Sequence, residues 1–176
     1  YPYNYSSFRR AIAYAINKFS ISRVMHDGWA DAIDSHAPKS LGYWSIEYMT
    51  IAPDSYIEHY RDKALYELSK INISDKDDDG WLEYPNGSKV NIEIMLLNQH
   101  PFRSLSHIIE ENLMRIGIKT TMKFVDRRTY VYKITSGIFG IACYSSRLST
   151  LTFFLEQYTS RSYLIMYTGW SNSTYY

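Results

Sequence analysis

Asp75, Asp77 and Asp79 alternate with other residues and are followed by Gly80 and Leu82, as in the first eight positions of a calcium-binding loop. Carboxylates at positions 1, 3 and 5 offer hard oxygen ligands, and glycine at position 6 permits the sharp turn. The twelfth position, where a bidentate glutamate belongs, is Asn86, and Trp81–Tyr84 reads as a strand where a helix should follow. The favoured expectation is a solvated acidic turn whose Asp side chains accept hydrogen bonds from nearby backbone N–H groups, without a metal. The five histidines, His26, His36, His59, His100 and His107, show no HExxH pair and no other zinc spacing. Cys143 lies in an apolar stretch, where cysteine acts as a small hydrophobe and not as a nucleophile. No G-x-S-x-G elbow, phosphate-binding glycine loop or dinucleotide fingerprint occurs, so no cofactor is expected and catalysis would need a dispersed site.

Tyrosine is the compositional outlier, with 18 residues beside four tryptophans. Such rings can stack on sugars, peptides or bases while their polar tips hydrogen-bond, although packing is the expected role of most of them. Four N-x-S/T sequons, at Asn4, Asn72, Asn86 and Asn172, hint at an extracytoplasmic surface. The 176 residues suit one domain, and a chain of that length buries roughly 70% of its unfolded surface without needing a staple. Nineteen basic against eighteen acidic residues give a net charge of +1, which argues against a nucleic-acid partner. No apolar run is long enough to span a membrane, and a single cysteine forbids an internal disulfide. The chain begins Tyr-Pro-Tyr and ends Ser173-Thr174-Tyr175-Tyr176, so residues 1–176 are expected to be one α/β lobe of a longer protein.

The elements that must position these groups follow from periodicity. Ser6 or Ser7 is expected to cap a helix with Phe8, Ile12, Ala15, Ile16 and Phe19 on one face, and a second short helix runs from Ser20 to about His26, ending at Gly28. Residues 29–54 read as a long loop, and Tyr56–Ile71 as a helix. Trp81–Tyr84 and Lys89–Leu97 form the arms of a hairpin reversed at Asn86-Gly87, with Val90, Ile92, Ile94 and Leu96 alternating as in a half-buried strand. Pro101 and Phe102 open a helix with Leu105, Ile108, Ile109, Leu113 and Ile116 on its face, closed by Gly117. Ile118–Val125 is a strand, Asp126 caps a helix that Gly137 stops, and Phe139–Tyr144 is a short strand. A helix near Ser149–Tyr158 and a strand at Tyr163–Tyr167 complete the order. That alternation predicts an α/β fold with a mixed, mostly parallel sheet flanked by helices and a β-hairpin near 81–97.

With these elements in order, the sequence resembles the family 5 extracellular solute-binding proteins, the dipeptide- and oligopeptide-binding class of ABC importers. Phe8-Arg9-Arg10-Ala11-Ile12-Ala13-Tyr14-Ala15-Ile16-Asn17-Lys18 is similar to that family's "VRQAIAYAIDR" helix, and Asp62–Leu68 to its "EKAKELL" helix. Asp75–Glu83 with Pro85-Asn86-Gly87 is similar to its "DxDGDGxxE…PDG" hairpin, in the family a structural turn and not a general calcium site. Glu110–Val125 resembles "IQxxLKEIGIxVxxxxVD", and Gly169–Tyr175 more loosely resembles "GYSNPEYD". The resemblance implies the second large lobe of a type II periplasmic-binding-protein-like receptor, at the cell surface or in the periplasm. Such a receptor closes around an oligopeptide or other small solute and presents it to a permease.

The resemblance also implies a site. Many peptide-binding members carry "GWxADYxxP" after the strand corresponding to Phe139–Tyr144, and an ungapped match puts Cys143-Tyr144-Ser145-Ser146-Arg147-Leu148 there. Arg147 then stands where the family has an acid, favouring a ligand carboxylate over an ammonium, and Tyr144 replaces the Trp as an aromatic wall. Tyr144, Ser146 and Arg147 are the expected ligand-binding residues. The same receptor class taking oligosaccharides, a small hydrolase with a dispersed site, and a calcium-stabilised interaction domain stand as alternatives.

Overall fold

The computed structural model describes residues 2–32 and 60–143. Among these, five helices and three strands run in the order α1 (Ser6–Ala15), α2 (Lys18–His26), α3 (Arg61–Ser69), β1 (Asn91–Leu97), α4 (His100–Met114), β2 (Lys119–Val125), α5 (Arg127–Thr135) and β3 (Ile141–Ala142).

The first apolar stripe is divided. Tyr5, not Ser6 or Ser7, is the extended residue before α1, and no side chain caps it. The helix stops at Ile16, whose backbone is extended, and Asn17 restarts it as α2 by accepting a hydrogen bond from Ser20 N at 3.0 Å. The break is fixed from far along the chain, because Asn112 of α4 accepts from Asn17 N at 2.6 Å. Phe8, Ala11, Tyr14 and Ala15 are therefore the buried face of α1, while Phe19 stands 57% exposed. Asp27 in the left-handed region and Gly28 at φ +81° end α2 as expected. Helix α3 begins at Arg61 and lays Ala64 and Leu68 against α1; residues 56–59, expected to open it, lie outside the described residues.

The sheet is parallel, in the order β2-β1-β3. Asn91 pairs with Lys119 and Leu97 with Val125, while Ile94 and Met95 pair with Ile141 and Ala142. Ile92, Ile94 and Leu96 point into the main core with Leu113, Ile116, Ile118, Leu68 and Phe8. Met95 points the other way into a second cluster with Tyr130 and Ile134 of α5. The alternation expected for β1 holds over its first half, and its second half is covered on both faces, as a central parallel strand must be. Each fully buried large aliphatic side chain contributes about 2 kcal/mol, so this strand and α4 dominate the core.

The hairpin near 81–97 is shorter than expected. The chain does reverse at Asn86-Gly87, with Gly87 N donating to Tyr84 O at 2.9 Å, but antiparallel pairing is confined to Glu83, which bridges Ser74 on one side and Lys89 on the other. The arms remain hydrogen-bonded to each other, Val90 N to Leu82 O at 2.7 Å and Tyr84 N to Ser88 O at 2.8 Å, but Leu82 N donates instead to Gly117 O at 2.8 Å, which ties this arm to the turn before β2. Pro101 lies in the first turn of α4, Gly117 ends the turn after it, and Asp126 caps α5 through Arg128 N and Thr129 N. Ser149–Tyr158 and Tyr163–Tyr167 lie outside the described residues.

Candidate functional site

The three parallel strands end side by side at Leu97, Val125 and Ala142, and this carboxyl edge is where open α/β sheets take their ligands. Its polar groups are held in place. Asn98 N donates to Val125 O at 2.9 Å, which locks the exit of β1 to that of β2. Arg103, one turn into α4, donates to Asn98 Oδ1 at 2.7 and 3.2 Å and lies over the Phe124 ring at 5.2 Å. Tyr130 of α5 donates its hydroxyl to the Cys143 carbonyl at 2.6 Å and so fixes the exit of β3. Asp126 accepts from Arg128 N, Thr129 N and Thr129 Oγ1, which hold its carboxyl below the ordinary carboxylate range.

The three expected ligand-binding residues, Tyr144, Ser146 and Arg147, follow directly on this edge and lie outside the described residues. Sequence reasoning missed Asn98 and Arg103. Their signal was the Asn-Gln pair between an alternating strand and a proline-opened helix, the place where a β–α turn presents side chains at the carboxyl edge.

At the opposite, amino edge of the sheet stands the acidic turn. It is anchored through Leu82 to Gly117, where a Cβ would sit 2.8 Å from Gly80 O and 3.1 Å from the Leu82 side chain. As expected, its carboxylates accept from backbone N–H groups: Asp75 from Gly80 at 2.8 Å, Asp79 from Trp81 at 3.0 Å and Asp77 from Asp79 at 3.3 Å. Lys89 was not foreseen here. Its ammonium bonds Asp79 and lies 3.6 Å from Asp77 and 3.7 Å from Glu83. The bond to Lys89 lowers the Asp79 carboxyl and raises the Lys89 ammonium. Beside the turn, a groove of about 360 Å³ is lined by Arg61, Leu65, Ile73, Asp75, Leu82 and Arg115.

Cys143 follows β3 directly and is partly buried; burial pushes its thiol up to about 11. His26, His100 and His107 are exposed, while His36 and His59 lie outside the described residues. No helix among the described residues is long and apolar enough to cross a membrane.

The family model for bacterial extracellular solute-binding proteins, family 5, middle region, matches residues 1–175. An oligopeptide ABC transporter periplasmic oligopeptide-binding protein from Thermotoga maritima superposes with a TM-score of 0.74 at 23% identity, over 89% of this chain and 30% of its own. The oligopeptide-binding protein AppA of Bacillus subtilis, solved with a nonapeptide, gives 0.61 at 19% identity over 75% of this chain and 25% of its own. The periplasmic binding protein MelB of Agrobacterium fabrum, solved with stachyose, gives 0.64 at 19% identity over 87% and 23%. The chain thus spans less than a third of the length of these proteins. No curated protein sequence matches it significantly.

Proposed function

We propose, from the premise that this chain belongs to the family 5 bacterial extracellular solute-binding proteins, that it is a ligand-binding lobe of a receptor delivering oligopeptides to an ABC transporter permease. The family match, continuous over residues 1–175, carries the reading. The remaining lobe of the parent protein supplies the other wall of the cleft, and hinge closure is coupled to binding. The lobe binds and does not turn over its ligand, outside the cytoplasm.

Within this reading Tyr144, Ser146 and Arg147 line the cleft, because they follow β3 at the carboxyl edge of a parallel sheet. Tyr144 gives an aromatic wall, Ser146 a neutral hydrogen-bonding group and Arg147 a bidentate donor to a ligand carboxylate. A cation at that place disfavours the peptide's ammonium terminus.

The test is native mass spectrometry of the gently purified parent receptor, followed by titration with peptides carrying a free or an amidated C-terminus. The expected result is a retained peptide mass, tighter binding of the free acid, and loss of that preference in Arg147→Ala. Equal binding of both peptides by the unsubstituted receptor removes Arg147 from the site. A retained oligosaccharide mass, the cargo class of MelB, replaces the peptide reading, and a processed ligand mass replaces the binding reading with a hydrolytic one.

A further inference from the structure

The acidic turn lies at the amino edge of the sheet, and the peptide reading makes no use of it. One carboxylate oxygen from each of Asp75, Asp77, Asp79 and Glu83 lies within 4.8 Å of every other. Oxygens facing each other across a calcium ion stand about 4.6 to 5.2 Å apart, twice the usual Ca–O distance, so one ion can touch all four.

A second observation does not depend on the count of acids. The Glu83 side chain is only 5% exposed. Its Oε2 accepts from Lys76 N at 2.8 Å, but Oε1, the oxygen nearest the Lys89 ammonium, has no hydrogen-bond partner among the described residues, and neither has the buried Asp75 Oδ1. Bare buried carboxylate oxygens are costly, and two in one cluster call for a further donor or cation beside Lys89. Lys89 is ion-paired with Glu83 Oε1 at 3.7 Å, too far to hydrogen-bond it. One ammonium also leaves four carboxylates with a net negative charge, and a lysine is a flexible point charge able to leave.

We propose that Asp75, Asp77, Asp79 and Glu83 form a calcium site, with Lys89 as the counter-cation that calcium displaces. The all-carboxylate donor set of a pliant turn suits this hard ion and offers no nitrogen or sulfur to a transition metal. Glu83 stands at the ninth position of the loop instead of the twelfth. It reaches the cluster because its backbone bridges both Ser74 and Lys89, folding the segment back over the aspartates. The ion braces the turn against Gly117, at the far end of the sheet from the ligand edge.

The test uses the full chain, with terbium as a calcium surrogate excited through Trp81, which lies between Asp79 and Glu83. Saturable sensitised emission displaced by calcium is expected, with a higher Tm in calcium than in chelator. Glu83→Gln should weaken calcium on the order of a hundredfold, as loss of a directly bound ligand demands, and Lys89→Met should tighten it. Should Glu83→Gln fail to fold, Asp77→Asn at the exposed rim reports the same loss. Absence of calcium displacement and of any Tm change in the unsubstituted chain overturns the proposal, and calcium binding that appears only in Lys89→Met overturns it equally, since Lys89 is then a permanent occupant.

Discussion

At the scale of single residues, Cys143 is the clearest case of environment deciding chemistry. Its backbone N donates to Met95 O at 3.1 Å and its carbonyl accepts from Tyr130, so the thiol is held partly buried against the core. Burial disfavours the thiolate and pushes the group up to about 11. A thiol raised above its unfolded value of about 8.5 supports the folded state fully below that pH, and the support is lost as pH rises towards 11. Two results are expected: slow reaction of the native chain with a disulfide reagent at pH 8 and rapid reaction in denaturant, and a fall in stability between pH 8.5 and 11 that is shallower in Cys143→Ala. Rapid native labelling would show that the thiol is open to solvent.

At the scale of elements, local signals were legible where a residue's own backbone carries the message. Asp126 caps α5, Gly117 ends the turn after α4, and both follow from side-chain reach and from positive φ. What the sequence hid came from distant partners. The stripe from Phe8 to Phe19 looks continuous, and only Asn112, ninety-five residues on, breaks it at Asn17. The hairpin was overextended for a similar reason, since Leu82 gives its N–H to Gly117 and leaves Glu83 as the sole bridging residue of that arm. The same distance hid Lys89 and Glu83 as partners of the aspartates: the loop register pointed to position 86, and the chain placed a carboxylate from position 83. Gly117 is the residue where these contacts converge. Its φ of +80° disfavours any side chain, and a Cβ there meets Gly80 O at 2.8 Å. Gly117→Ala should therefore cost about 1 to 3 kcal/mol, read as a lower urea midpoint with unchanged slope. Full stability in that variant would mean that the acidic turn is not seated on this glycine.

At the scale of the whole molecule, the core separates the two ends of the sheet. Among the described residues, strand β1 is covered by α1, α3 and α4 on one face and by α5 on the other. The amino edge carries the acidic turn seated on Gly117, and the carboxyl edge leads into the proposed ligand residues. In the two-lobe reading the ligand is held by hydrogen bonds from both sides, and its affinity is shared between them. If the parent receptor binds its peptide with a Kd of about 1 μM, half of that free energy corresponds to a Kd of about 1 mM. The lobe alone should thus show a cooperative thermal transition of its own but only millimolar peptide binding, by calorimetry of the isolated chain against the parent. Micromolar binding by the isolated chain would place the whole site within these 176 residues and remove the need for a second wall. Loss of the cooperative transition would show instead that the sheet depends on the remainder of the receptor to hold its core together.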